Sequence, residues 1–261
     1  MRFGQSFLEF ELDRGINLTE PWTIVTFYEI CFLNLDMRLP VFLMISQIKV
    51  LFVFMIFAED ALTRLVDGNA RFVSDQHYSE SYSFERQRME SVESQTPFAI
   101  ILGCSDSRVP LEIVFDQGLG DLFVIRVAGN IAAYSQIGSI EYAVSKLGAR
   151  LVVVLGHTRC GAILASLNEY IHTTDGLTPG IKSLISRIQP SVETVISQSD
   201  ETSTNVLVDQ IMKRNVEATV DTLRTESPVL AHYQQHEGLS IIGAEYSLET
   251  GWVKFYDEKE S

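Results

Sequence analysis

The chain has 261 residues, 46% hydrophobic and 21% charged, with 20 Lys and Arg against 34 Asp and Glu and a formal net charge of −14. That apolar content excludes a disordered chain, and the acidic balance argues against a nucleic-acid partner, which needs clustered Lys and Arg. The length corresponds to one large or two small domains at about 150 residues each. Three Cys cannot form a disulfide framework; they point to a reducing, cytoplasmic setting or to a metal site.

Residues 1–54 form an atypical apolar extension, distinct from a domain spanning residues 55–261. Residues 1–57 hold nine of the fifteen Phe, and residues 41–58 read VFLMISQIKVLFVFMIFA. At 18 residues that run reaches the lower limit for a membrane span, but Gln47 and Lys49 sit near its middle, and a central Lys costs about 2.5–3.5 kcal/mol on insertion. No basic run precedes an apolar core, so a secretory signal is not expected. Three readings stay open: a buried or partner-packing segment, a membrane-associated anchor, or translated upstream sequence with the start at Met55. Membrane contact is expected only if the segment is native.

Further on the pattern becomes regular. Ala61, Leu62, Leu65, Val66 and Phe72 recur at helical spacing, with Asp67 and Gly68 as the expected break. A second helix is expected over residues 84–94 within a polar stretch. Three continuous apolar runs of strand length follow: FAIILGC at 98–104, LFVIRV at 122–127 and LVVVLG at 151–156. None alternates with period two, which predicts parallel strands buried on both faces. Residues 135–149 between the last two have helical periodicity. The strand–helix–strand rhythm gives an α/β fold with a mostly parallel central sheet flanked by helices. Helices are then expected over 162–171, 180–197, 206–225 and 229–236, and the chain ends in a strand, a turn at Glu249–Gly251 and a second strand.

The chemistry sits at the ends of two of these strands. Cys104 follows the first run, His157 the third, and Cys160 lies three residues beyond. Parallel strands end on one edge of a sheet, where ligands bind, so these three side chains are expected to converge. Two thiolates and an imidazole form a set suited to Zn²⁺, one ion per chain, with a fourth position left open as in catalytic sites. Cys31 lies in the extension, and His77, His172, His232 and His236 read as surface histidines. In CSDSR, Asp106 and Arg108 are spaced to form a charge-assisted pair; on these residues alone, a salt bridge bracing a tight loop is the simpler account.

CSDSRVP at 104–110, DLFVIRVAGN at 121–130 and GHTRCGA at 156–162 together resemble the β-class carbonic anhydrases. IEYAV at 140–144, SQTPFAII at 94–101 and GNARF at 68–72 fit the same family, and the resemblance spans about residues 59–256. It implies a single domain, a homodimer or dimer of dimers, and a zinc lyase that hydrates carbon dioxide to bicarbonate and a proton. Position by position it implies Cys104, His157 and Cys160 as zinc ligands, and Asp106 with Arg108 as the catalytic dyad that orients a zinc-bound hydroxide. Gln95, Phe123 and Tyr142 fall where members of the plant-like subtype line the pocket, Gln95 with an amide donor for substrate. Val109 and Ile140 complete an apolar wall suited to carbon dioxide. The other subtype carries Trp three residues before the first Cys; Ile101 stands there, which favours the open-site subtype. Hydrolysis of a related heterocumulene such as carbon disulfide, a non-catalytic zinc-binding role and a Cys104–His157 nucleophile pair are the alternatives.

Overall fold

The computed structural model describes residues 56–76, 87–89, 91–172, 176–201 and 203–256. The readings for residues 1–54, together with Cys31 and His77, lie outside the described residues. So does part of the expected helix at 84–94, of which residues 87–89 are helical.

The first described helix, α1 (Ala58–Val73), runs unbroken through Asp67 and Gly68. The expected break is therefore corrected. Gly68 serves close packing instead, because a Cβ there would lie 1.9 Å from the Phe115 carbonyl oxygen. Its buried stripe is Ala61, Leu65, Gly68 and Asn69, and Val66 faces outward. Gly68→Ala is expected to lower stability by about 1–3 kcal/mol, the usual cost of overpacking, measured as a shift in the denaturant midpoint. An unchanged midpoint would show that the contact with Phe115 yields freely.

Strand β1 (Ala99–Gly103) leads through a short helix, α2 (Leu111–Val114), to β2 (Leu122–Arg126). A 3-10 turn at Ala128–Asn130 and helix α3 (Tyr134–Leu147) return the chain to β3 (Leu151–His157). Helices α4 (Gly161–His172), α5 (Pro179–Gln198), α6 (Thr204–Glu226) and α7 (Pro228–His236) follow. The end is a hairpin of β4 (Ser240–Tyr246) and β5 (Val253–Phe255). Several boundaries have local causes. Thr178 and Ser227 each accept from a backbone N–H three residues on, with Pro179 and Pro228 opening the helices. Gly148 closes α3 in the left-handed region at φ 77°.

The five strands among the described residues are ordered β2-β1-β3-β4-β5, parallel throughout except for the antiparallel β4–β5 pair. Alternate residues of the central strands feed two apolar layers. Ile100, Leu102, Val152, Val154 and Ile241 pack with residues of α3 to α7, whereas Ile101, Val153, Leu155 and Ile242 pack with α1 and α2. Both faces of β1 and β3 are accordingly buried, which is why neither strand alternates in sequence.

One strand departs from that expectation. β2 is only half-buried along its length, because it lies at the sheet edge, and an apolar run marks the strand without revealing its place. The order also shows where the chain reverses: β2 is laid on one side of β1, and β3 on the other. The carboxyl ends of β1 and β3 flank this switch point, the place where open α/β sheets bind ligands.

Candidate metal centre

Cys104 follows β1 directly, His157 is the last residue of β3, and Cys160 immediately precedes α4. The donor atoms of these three residues all lie within 4.8 Å of one another, and the two Sγ atoms are 4.0 Å apart. All three side chains are buried. His157 Nδ1–H donates to the Thr158 carbonyl oxygen at 2.9 Å. A carbonyl can only accept, so in the neutral ring the proton sits on Nδ1 and the Nε2 lone pair is free. Nε2 is buried without a hydrogen-bond partner. An orphaned acceptor facing two thiols is costly unless something electropositive completes it.

The thiols divide one proton between them. Cys104 is drawn well below the usual thiol range, first by the hydrogen bond from Cys160 and then by the N–H groups of Gly129 and Asp106, against the effect of burial. Cys160 is pushed well above the usual thiol range by the Cys104 sulfur and by burial. A cation taking the place of that proton would let both sulfurs ionise.

Above the donors sits a salt-bridged fork. Arg108 Nε donates to Asp106 Oδ1 at 2.9 Å and Nη2 to Oδ2 at 2.8 Å, while the Arg108 backbone N–H donates to Oδ1 at 3.0 Å. The guanidinium beside Asp106 holds its carboxyl far below the usual carboxylate range. Asp106 Oδ2 is also 3.9 Å from His157 Nε2, so the carboxylate borders the metal position without joining the donor set.

The remaining sequence candidates do not form one cluster with the donors. Phe123 on β2 and Tyr142 on α3 stand with ring centroids 6.4 Å apart; Phe123 packs on the apolar layer that contains Cys104, and Tyr142 is 51% exposed. Gln95 is exposed in the segment entering β1. Ile140 is fully buried in the layer that contains Cys104, whereas Val109 and Ile101 are fully buried in the opposite layer. His172, His232 and His236 are exposed.

Other residues emerge only in three dimensions. Arg126, at the end of β2, donates from Nε to the Cys104 carbonyl at 3.0 Å and from Nη2 to the Asp106 carbonyl at 2.6 Å. It thereby ties the whole Cys104–Asp106 loop to the edge strand. Gly129, at φ 73°, turns its N–H toward Cys104 Sγ at 3.4 Å, a posture that a side chain would strain. The buried Asn215 on α6 donates to the Gly129 carbonyl at 2.9 Å. Arg126 and Gly129 fall within the DLFVIRVAGN stretch at 121–130, but their roles, like that of Asn215, depend on partners 20 to 86 positions away.

Comparison with known proteins agrees with this geometry. A family model described as carbonic anhydrase matches residues 99–253. Carbonic anhydrase 2 of Mycobacterium tuberculosis is 40% identical over 189 residues, covering 72% of this chain and 87% of its own. A carbonic anhydrase of Mycolicibacterium smegmatis is 39% identical over 192 residues, 73% of this chain and 89% of its own. Among solved structures, a β-carbonic anhydrase from Coccomyxa superposes with a TM-score of 0.59 at 26% identity, covering 74% of this chain and 85% of that one. One from Aspergillus fumigatus shares the fold at a TM-score of 0.60 and 24% identity, over 76% of this chain and 91% of that one. The fold, the paired strand ends and these relatives converge: the chain belongs to the carbonic anhydrases, in their β class.

Proposed function

We propose that this enzyme carries out the reversible hydration of carbon dioxide with one zinc ion per chain, held by Cys104, His157 and Cys160, and with Asp106 and Arg108 orienting the attacking oxygen. The donor geometry carries this reading. A tetrahedral ion with Zn–S bonds of about 2.3 Å sets its two sulfurs about 3.8 Å apart, close to the observed 4.0 Å. Two ionisable thiols and a free imidazole lone pair match the ion's preference for sulfur and nitrogen. When bound, zinc supplies the Lewis acidity that brings the pKa of a water from about 15.7 toward about 7.

The residues of the chain do the rest. Held ionised by Arg108, the Asp106 carboxylate only accepts hydrogen bonds. It therefore receives the O–H of the nucleophile and leaves an oxygen lone pair directed away from itself, toward the carbon of carbon dioxide. Arg108 keeps both carboxylate oxygens in place. Phe123 and Tyr142 provide an apolar approach for an uncharged substrate, and Gln95 brings an amide donor from the segment before β1. Attack forms one C–O bond while one π bond of carbon dioxide opens onto its oxygen, which yields bicarbonate; the proton lost by water leaves to solvent.

The free pair of Asp106 and Arg108 also favours the open-site subtype, because the carboxylate is engaged by Arg108 rather than by the donor set. The half-covered apolar edge of β2 favours a homo-oligomer, since an exposed strand edge invites a second chain. Two reduced, metal-ready thiols suit a cytoplasmic setting. Among the described residues, no helix is long and apolar enough to cross a membrane.

Metal analysis of the purified protein, paired with stopped-flow hydration, tests the reading. About one zinc per chain and hydration that disappears on chelation and returns with zinc are expected. A metal-free protein with undiminished hydration would overturn it.

A further inference from the structure

Thr158 and Arg159, the two residues between His157 and Cys160, are gripped from the β4–β5 turn. Glu249 Oε2 accepts from Thr158 Oγ1 at 2.8 Å, and Oε1 pairs with Arg159 Nε at 2.6 Å. Thr158 Oγ1 accepts in turn from the Leu248 N–H at 3.0 Å, and the Thr158 N–H donates to the Tyr246 carbonyl at 3.0 Å. The carbonyls of the same two residues face the metal centre. That of Thr158 receives His157 Nδ1–H at 2.9 Å, and that of Arg159 receives Arg108 Nη2 at 3.3 Å.

The backbone of this bridge is strained. Arg159 sits at φ 54°, a left-handed conformation that a residue with a side chain keeps only where its surroundings enforce it. The turn bearing Glu249 is one of two supports for Arg159, the other being the Asp209 carboxylate of α6 at its backbone N–H, and the turn is itself anchored. Asn69 of α1, 2% exposed, donates to the Gly251 carbonyl at 2.9 Å and accepts from the Val253 N–H at 2.9 Å.

We infer that Glu249 is a positioning residue for the metal centre: by clamping Thr158 and Arg159 it aims their carbonyls so that His157 presents Nε2 and Arg108 stays locked on Asp106. This inference rests on the zinc reading above. Glu249 and Arg159 are 44% and 71% exposed, so their ion pair adds little to folding. The effect of the clamp lies in geometry, and it should appear in metal retention and turnover while the melting temperature stays nearly constant.

The test compares zinc release to a colorimetric chelator, kcat/KM and melting temperature in the wild type, Glu249→Gln, Glu249→Ala, Thr158→Val and the double variant Glu249→Ala/Thr158→Val. Glu249→Gln keeps an acceptor for Thr158 but loses the charge facing Arg159, so release is expected to be intermediate. Glu249→Ala is expected to release zinc about tenfold faster and lose about tenfold in kcat/KM, at the lower end for partners that orient metal ligands. The double variant should lose less than the product of the single effects, because both changes remove one hydrogen bond. Wild-type release and turnover in Glu249→Ala would overturn the clamp, as would losses that follow the melting temperature and multiply in the double variant. Should Glu249→Ala fail to fold, Glu249→Gln carries the same two readouts. A wild-type protein without zinc removes the zinc reading and the clamp together, whereas a zinc-loaded wild type with indifferent variants removes the clamp alone.

Discussion

Asp106→Asn is expected to retain zinc at the wild-type level and to lose hydration rate by about 10²-fold or more, the scale on which a positioned proton acceptor acts. The side chain keeps its size and lies outside the donor set, so metal content should not change. Its chemistry changes completely. An amide offers one acceptor oxygen and an NH₂ group, and because Arg108 donates to both carboxylate oxygens, that NH₂ would face a guanidinium donor whichever way it is turned. The bidentate fork is lost in either orientation. Stopped-flow hydration combined with metal analysis separates the outcomes, and full activity would mean that the pair only braces its loop. The wild type also has a defined pH sign. Arg108 depresses the folded-state pKa of Asp106, so the stabilisation from this pair is present above the ordinary carboxylate range. It is lost only as pH falls through the depressed value. Asp106 therefore remains an acceptor in mildly acidic solution, and a sharp loss of activity just below neutrality would contradict the open-site assignment.

Cys160→Ala is expected to empty the metal centre. Partners that merely orient metal ligands cost about 10–100-fold when removed, and the loss of a ligand should exceed the upper end of that range in both affinity and turnover. The fold should survive, because Cys160 contributes one small side chain to a large apolar layer. Metal analysis after dialysis, with the circular dichroism spectrum as a check on folding, measures the effect. Zinc retention at the wild-type level would remove Cys160 from the ligand set.

How much of this was legible in the sequence depends on how local each cause is. Strands β1 and β3 could be read because burial on both faces leaves continuous apolar runs, whereas α5 and α7 were placed one residue late, at 180 and 229, because the Thr178-Pro179 and Ser227-Pro228 starts went unread. The donor trio could be inferred from strand ends that share an edge, and the Asp106–Arg108 pair lies within one short loop. Gly68 misled, because glycine that ends a helix and glycine that admits a neighbouring carbonyl look alike until Phe115 is in place. The edge position of β2 was hidden for a similar reason, since apolar sequence does not say how many neighbours a strand has. Arg126, Asn215 and Glu249 were missed as site residues because their partners lie 20 to 91 positions away. Glu249 in particular could be read only as part of a turn.

The anchoring of the β4–β5 hairpin by Asn69 spans 182 and 184 positions of chain, which gives the centre a history as well as a shape. All three metal donors and the Asp106–Arg108 fork have been synthesised once the chain reaches Cys160. Glu249 lies 91 positions beyond Thr158, and the strand that docks on Asn69 follows it. A nascent chain can thus carry every donor atom while its 158–159 bridge still lacks the clamp. Closing a loop of that length is slow relative to local contacts, so the hairpin contact that supports the clamp is expected to form after the Asp106–Arg108 contact, which closes a loop of only two positions.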